Sequence, residues 1–294
     1  MTSISDGAKR RKTRDIEWKI TFDQVQCLQK LLDIISNVLT HVTMKIKVEG
    51  EAKIEIDSID SKKICMVQAR LGATSGTGTN GFICVKSKPL LTCLGSCPSH
   101  YSIDITKYVD SSSIYMRSYE SLSNSHIYEA EIKTIMDESE PCRLNDLTYK
   151  YNVEMDLLML RGIVKTAHSL SSEDIRFQVL EPPPGSFRRR LTAFRISAEG
   201  ADDATPANVF VSEVDADSNI IRTEETVQSE IAIEDMTIVY DQKFSSQYLN
   251  YFFKSMERTT LTMKLSEDKP LVLDYPLGKD NSYITFVLAA RNVE

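Results

Sequence analysis

The sequence predicts an α+β fold of two similar domains, each combining antiparallel sheets with two helices on one face. Three observations carry that expectation. From Ile238 onward the chain reads as strand, short amphipathic helix and three further strands. On the helix, Leu249, Phe252, Phe253 and Met256 fall at i, i+3, i+4 and i+7, so one face must pack on a sheet, while Gln247, Asn250, Lys254 and Arg258 form a polar, basic stripe opposite. The same order recurs upstream: strand Phe82 to Val85, helix Pro89 to Leu94, strands Tyr101 to Thr106 and Ile114 to Tyr119. Finally, 294 residues suffice for two cores at roughly 150 residues per domain.

In chain order, residues 1–14 are polar and hold Lys9, Arg10, Arg11, Lys12 and Arg14, which reads as a disordered basic tail fit for nuclear import or loose phosphate contact. A strand at Glu17 to Phe22 leads into a helix over Gln24 to Leu39. Its buried stripe is Val25, Leu28, Leu32 and Ile35, with Gln26, Lys30 and Asn37 on the far side. Strands follow at Val42 to Val48, Lys53 to Ile59 and Ile64 to Leu71. Gly76, Gly78 and Gly81 then spell G-x-G-x-x-G, but a strand follows instead of the helix that a pyrophosphate site needs, so the stretch is expected to be a flexible loop.

The acidic, proline-bearing run MDESEPCRLNDL interrupts the pattern and marks a linker at 136–148, between domains at 15–135 and 149–294. The second domain opens with strand Tyr149 to Met155 and helix Asp156 to Ser169, echoing the first. A duplication of this length means two like domains and not a solenoid. Two irregular insertions, Glu181 to Arg190 and Gly200 to Ala207, read as surface loops, the first carrying Arg188, Arg189 and Arg190.

Composition excludes several classes. Apolar content of 41% and charged content of 26% are those of a globular, soluble protein. No stretch approaches the roughly 18 apolar residues of a membrane helix, so no membrane partner is expected. The net charge of −7 argues against a wholly basic nucleic-acid-binding surface, though not against basic residues gathered on one inner face. Cys27, Cys65, Cys84, Cys93, Cys97 and Cys142 are scattered, which suits buried reduced thiols; Cys93 and Cys97 lack the second pair a zinc site requires. His41, His100, His126 and His168 have no metal-ligand spacing, and neither a phosphate loop nor a nucleophile elbow is present. The expectation is no enzyme, no metal and no cofactor.

Two stretches carry a family resemblance. IDSKKICMVQARL, from Ile59, resembles MDSSHVSLVQLTL of proliferating cell nuclear antigen (PCNA). SSQYLNYFFKSM, KPLVLDYPL and FVLAA resemble that family's ALRYLNFFTKA, VPLVVEYKI and YYLAP, in the same order. A weaker match runs from Ile16 to Glu294. The resemblance implies a DNA sliding clamp: a homo-oligomeric, trimeric ring with helices lining a hole and sheets forming its outer wall. It acts in DNA replication and repair, in the nucleus or at a viral replication site, with a clamp loader and DNA polymerase as partners. Two other readings stay open: a checkpoint-type subunit of a mixed ring, and a viral-style polymerase accessory protein that does not encircle DNA.

The resemblance also implies three sets of residues. Facing sequence-independent duplex phosphates would be Lys30, Lys86, Lys88, Arg161, Lys165, His168, Lys254 and Arg258, diluted by Asp23 and Asp33, with Pro89 and Thr92 where the family offers lysines. A cleft for partner peptides would use Ile59, Lys63, Ile64, Met66, Leu144, Leu147, Pro270, Val287, Leu288 and Ala289, Lys63 standing in for a family histidine. Subunit contacts would pair Ile127 to Ile135 (Ile127, Ala130, Ile132) with Asn208 to Val214 (Val209, Val211, Glu213) of the next copy. No lysine lies between Lys165 and Lys243, so the lysine that the family modifies has no counterpart near Glu181.

Overall fold

The computed structural model describes residues 15–120, 127–136, 147–183, 191–198, 207–213, 220–222, 235–254, 256–257, 259–278 and 281–291, with backbone alone at 191, 207–213 and 220–222. The expected tail, most of the linker with Leu144, Cys142, the three arginines at 188–190, most of the 200–207 insertion, and Arg258 lie outside these residues.

The first half runs β1 (Ile16–Phe22), α1 (Val25–Ile35), β2 (His41–Lys47), β3 (Lys53–Ile59), β4 (Cys65–Gly72), β5 (Ser75–Gly78), β6 (Gly81–Lys86), α2 (Ser87–Gly95), β7 (Ser102–Tyr108), β8 (Ser113–Tyr119) and β9 (Tyr128–Lys133). The second runs β10 (Tyr151–Asp156), α3 (Leu157–Ser169), β11 (Asp174–Glu181), β12 (Leu191–Ala198), β13 (Ala207–Glu213), β14 (Ile220–Arg222), β15 (Thr237–Ser245), α4 (Ser246–Phe253), β16 (Thr260–Leu265), β17 (Leu271–Pro276) and β18 (Tyr283–Leu288).

Sheet order exposes the duplication directly. One sheet is β5-β1-β7-β8-β9, and the second half supplies β14-β10-β16-β17-β18 in the same sequence; β4-β3-β2-β6 is likewise matched by β13-β12-β11-β15. The halves depart at one pairing, β1 meeting β5 antiparallel while β10 meets β14 in parallel. Between the halves β18 pairs antiparallel with β4, from Tyr283↔Arg70 to Leu288↔Cys65, and fuses five second-half strands to four first-half strands in one nine-stranded sheet.

Alternation along the strands and the 3.6-residue period of the helices feed one main core. Val25, Leu28, Leu32 and Ile35 of α1, and Leu249, Phe252, Phe253 and Met256 at α4, are all buried there. α3 begins where the Asp156 carboxylate accepts from the N–H groups of Leu158 (2.8 Å) and Met159 (3.2 Å), an N-cap of the kind worth about 1 kcal/mol. α1 is shorter than its periodicity suggests. Just past its end the Ser36 hydroxyl and Asn37 amide both donate to the Asp33 carbonyl, competing with the helical pattern.

Two further expectations are corrected. The glycine-rich stretch contains a strand, β5, paired along β1 from Trp18↔Gly78 to Thr21↔Ser75. Gly78 sits at φ +95°, where a Cβ would lie 2.3 Å from the Glu17 carbonyl oxygen, and a Cβ on Gly81 would lie 2.2 Å from the Trp18 indole nitrogen. Glycine is therefore required for the chain to pass over Trp18, which is why residues with low strand propensity form a strand here. Cys27 is exposed on α1 and does not share the burial of Cys65 and Cys84; Cys93 and Cys97 are half-buried.

Candidate nucleic-acid interface and peptide groove

The helices form a single layer. α2 contacts α1, α1 contacts α4, and α4 contacts α3, giving the spatial order α2-α1-α4-α3 across both halves. Each buries its apolar stripe on the sheets and leaves the other face to solvent. Lys86, Lys88, Lys165, His168 and Lys254 are exposed, and none makes an ion pair with a described residue. Arg161 is half-buried, its guanidinium 3.5 Å from the Met256 carbonyl oxygen. Lys30 is engaged elsewhere: its ammonium meets the Glu257 carboxylate at 2.9 Å, linking α1 to the segment after α4. Sequence reasoning had no signal for Glu257, which lies 227 residues away along the chain.

On the opposite face of the nine-stranded sheet a small apolar cluster, Met66, Val272 and Val287 with Tyr149 against it, is separate from the main core. Strand register explains it. Ile59 pairs with Met66, Met66 with Val287, and Val287 with Val272, so one residue from each of four strands forms a row across the seam. Beside that row lies a groove of about 920 Å³, with Leu147 and Tyr149 on one side and Gln68, Val272, Asp274 and Thr285 among its other lining residues. Burial, and the nearby Asp274 carboxylate, push the Tyr149 phenol above its ordinary pKa.

Of the residues the sequence assigned to a cleft, Leu147 is exposed and lines the groove. Ile59 is exposed at the far end of the row, outside the lining, Met66 and Val287 are nearly covered, and Pro270 and Ala289 lie half-buried and exposed at the ends of their strands. Leu288 must be reassigned. It is fully buried in the main core because the period of two that turns Val287 outward turns Leu288 inward, so it supports the floor from beneath. Ile64 also packs on the main core. The same alternation from Pro270 would have identified Val272, which the sequence pattern had left unassigned.

The turn holding Lys63 is fixed by a buried carboxylate. Asp60 accepts from the backbone N–H groups of Lys62 (3.2 Å), Ile64 (2.7 Å) and Cys65 (2.7 Å), leaving Lys63 exposed at φ +58°, an uncommon conformation for a residue with a Cβ. The Tyr248 hydroxyl of α4 donates to the same carboxylate at 2.6 Å. Burial, with the Asp60 hydrogen bond and charge second, raises the Tyr248 pKa well above the ordinary tyrosine value.

Strand edges are the remaining feature. β9 ends its five-stranded sheet and β13 ends its four-stranded sheet, both without a neighbour on one side among the described residues. Ile127, just before β9, and Tyr128 on it are exposed, Ala130 packs partly on the core and Ile132 is buried.

No family model and no curated sequence matches the chain. Among solved structures, the crystal structure of PCNA from Thermococcus kodakaraensis is similar, with a TM-score of 0.71 over 93% of this chain and all of that one, at 17% identity. The chain has a PCNA-like clamp fold. That likeness establishes the α+β arrangement of repeated halves. Among the described residues of this PCNA-like fold, no cluster of His, Cys, Asp and Glu is placed to hold a metal ion, and no helix is long and apolar enough to cross a membrane.

Proposed function

We propose that the chain is a subunit of a DNA sliding clamp, a non-enzymatic processivity factor that encircles duplex DNA and tethers a DNA polymerase and other replication and repair proteins. The observation that carries this reading is the repeat of sheet order with two unfilled edges. Inside the chain, β18 of one half pairs with β4 of the other; β9 and β13 are the repeat's counterparts of those two strands, and both lack that neighbour among the described residues. Pairing β9 of one copy with β13 of the next repeats the internal junction head to tail, and such a contact forms a ring when the rotation between copies closes. Left unpaired, the edges would invite aggregation.

A homotrimer is the assembly proposed, with domains at 15–135 and 149–294, the helix layer turned to the hole, and a nuclear or viral replication site as its place of action. Retention then depends on enclosure, so phosphate contacts need only be weak and sequence-independent. The groove beside the Ile59–Met66–Val287–Val272 row is the proposed dock for polymerase and other partner peptides, whose apolar anchors would supply most of the affinity.

Light scattering tests the ring: three chain masses are expected, and Ile127→Glu, which places a charge at an exposed position of the proposed contact, should yield folded single chains. A single-chain mass for the unaltered protein, or a ring only with two unlike partners, would exclude the homotrimer. Loading distinguishes enclosure from charge, because a ring persists on closed circular DNA and slips off linear DNA. Truncating Leu144 and Leu147 to Ala should abolish partner-peptide capture with DNA loading intact; undiminished capture would remove the groove assignment.

A further inference from the structure

The two halves repeat the same helix scaffold, yet they present different charge at equivalent places. α1 and α3 align through their buried stripes, Val25, Leu28, Leu32 and Ile35 against Leu157, Leu160, Val164 and Ala167. In that alignment Arg161 corresponds to Gln29, Lys165 to Asp33 and His168 to Ser36. α2 and α4 align through their first residues: Ser87 donates to the Thr40 carbonyl oxygen at 3.1 Å, and Ser246 to the Ser172 carbonyl oxygen at 2.5 Å. Lys254 then corresponds to Gly95.

α3 contains no acidic residue, and Arg161, Lys165 and His168 recur at i, i+4 and i+7, one stripe about 10 Å long. His168 lies in the last turn of α3. Lys254 follows on the neighbouring α4. In the first half, α1 exposes Asp33, and its single lysine is bound to Glu257. Lys86 and Lys88 are confined to the start of α2.

We propose that the phosphate backbone is tracked by the second half of each chain, through the Arg161–Lys165–His168 stripe and Lys254, while α1 is an electrostatically quiet spacer. The inference rests on the clamp reading above. In a closed ring the cationic track then recurs once per chain and not once per half, so a polyanion meets alternating attractive and neutral sectors. Such a surface holds the duplex against some sectors of the hole while leaving others free.

The test compares two pairs of charge reversals in the full-length protein, Lys165→Glu with Lys254→Glu and Lys86→Glu with Lys88→Glu, binding a closed circular duplex across a salt series. All four side chains are exposed, so unfolding midpoints should be unchanged. The second-half pair is expected to weaken retention on the order of tenfold at low salt and to flatten the salt dependence by ~0.9 log unit for each phosphate no longer neutralised. The first-half pair should change retention by less than about threefold. Equal weakening by both pairs would overturn the uneven track and leave the clamp standing. No weakening by either would overturn both this inference and the placement of the helix layer against DNA. Asp33→Lys adds an independent reading: it should tighten binding by giving α1 the charge α3 already has, and no tightening would place α1 away from the duplex.

Discussion

The seam inside the chain and the free edge at β9 occupy equivalent places in the two halves, but they are built differently. After β18, the Arg291 N–H donates to the Lys243 carbonyl at 2.8 Å; after β9, the Ile135 N–H donates to the Cys84 carbonyl at 2.9 Å. Counting back from those bonds sets Phe286 against Ala130. Counting forward from Ser246 and Ser87 sets Phe252 against Cys93 and Tyr248 against Pro89. Beside the seam, within the second half, Phe252 and Phe286 stack at 4.1 Å with their planes 14° apart, and across it Tyr248 bonds the buried Asp60 carboxylate. The β9 edge has small side chains at the stacking positions and a proline, with no hydroxyl, at the third.

Both places can pair strands; only the seam adds aromatic packing and a buried polar tie. A link between copies at β9 is therefore the weaker one. In the ring proposed above, an assembly under stress would separate there, with each chain intact.

The largest effect expected from this contrast is on the stack. Phe252 is fully buried, and Phe252→Ala should cost about 3–5 kcal/mol of stability, through reduced burial plus a cavity. Cys93→Ala, at the equivalent place, should cost under about 1 kcal/mol. Denaturant midpoints of the two variants check the comparison, and similar costs would break it.

Next comes the polar tie. Tyr248→Phe removes the hydroxyl that reaches Asp60 and should cost roughly 1–3 kcal/mol. The pH dependence has a definite sign. Because the folded-state pKa of Tyr248 is raised, by burial first and Asp60 second, its contribution is fully present below the unfolded tyrosine value of about 10 and is lost as pH rises toward the folded one. Tyr149, Tyr151 and Tyr240 are raised as well, so the seam is isolated by difference. The variant's stability should fall less steeply than the unaltered protein's between neutral pH and about pH 11. Parallel curves would detach Tyr248 from the seam's alkaline behaviour.

These contrasts were only partly legible in the sequence. Helix faces were readable because a 3.6-residue period is local: every residue of the stripes assigned to α1 and α4 is buried. The duplication was readable because the order of elements survives where the letters do not. β5 was not, since glycines chosen to clear Trp18 look like a loop. Leu288 was misplaced although alternation from Val287 would have put it inward. The Phe252–Phe286 stack, the Tyr248–Asp60 bond and the Lys30–Glu257 pair join residues distant in the chain, and no spacing rule reaches them.

The smallest effect concerns Lys30 and Glu257, which also link the two halves, though at the surface. Lys30 is 35% and Glu257 64% exposed in their side chains. Water and salt screen such a pair, so its worth to the folded chain is about 0–1 kcal/mol, and Glu257→Gln should shift the unfolding midpoint little. The informative readout lies elsewhere. Lys30 corresponds to Gly162 in the α1–α3 alignment, so the carboxylate holds the one cation that α1 could otherwise offer to a phosphate. Releasing it should strengthen retention on circular duplex by a few-fold at low salt, with the gain vanishing as salt rises. A change in stability without any change in DNA retention would make the pair a tie between halves and nothing more, and would place Lys30 out of reach of the duplex.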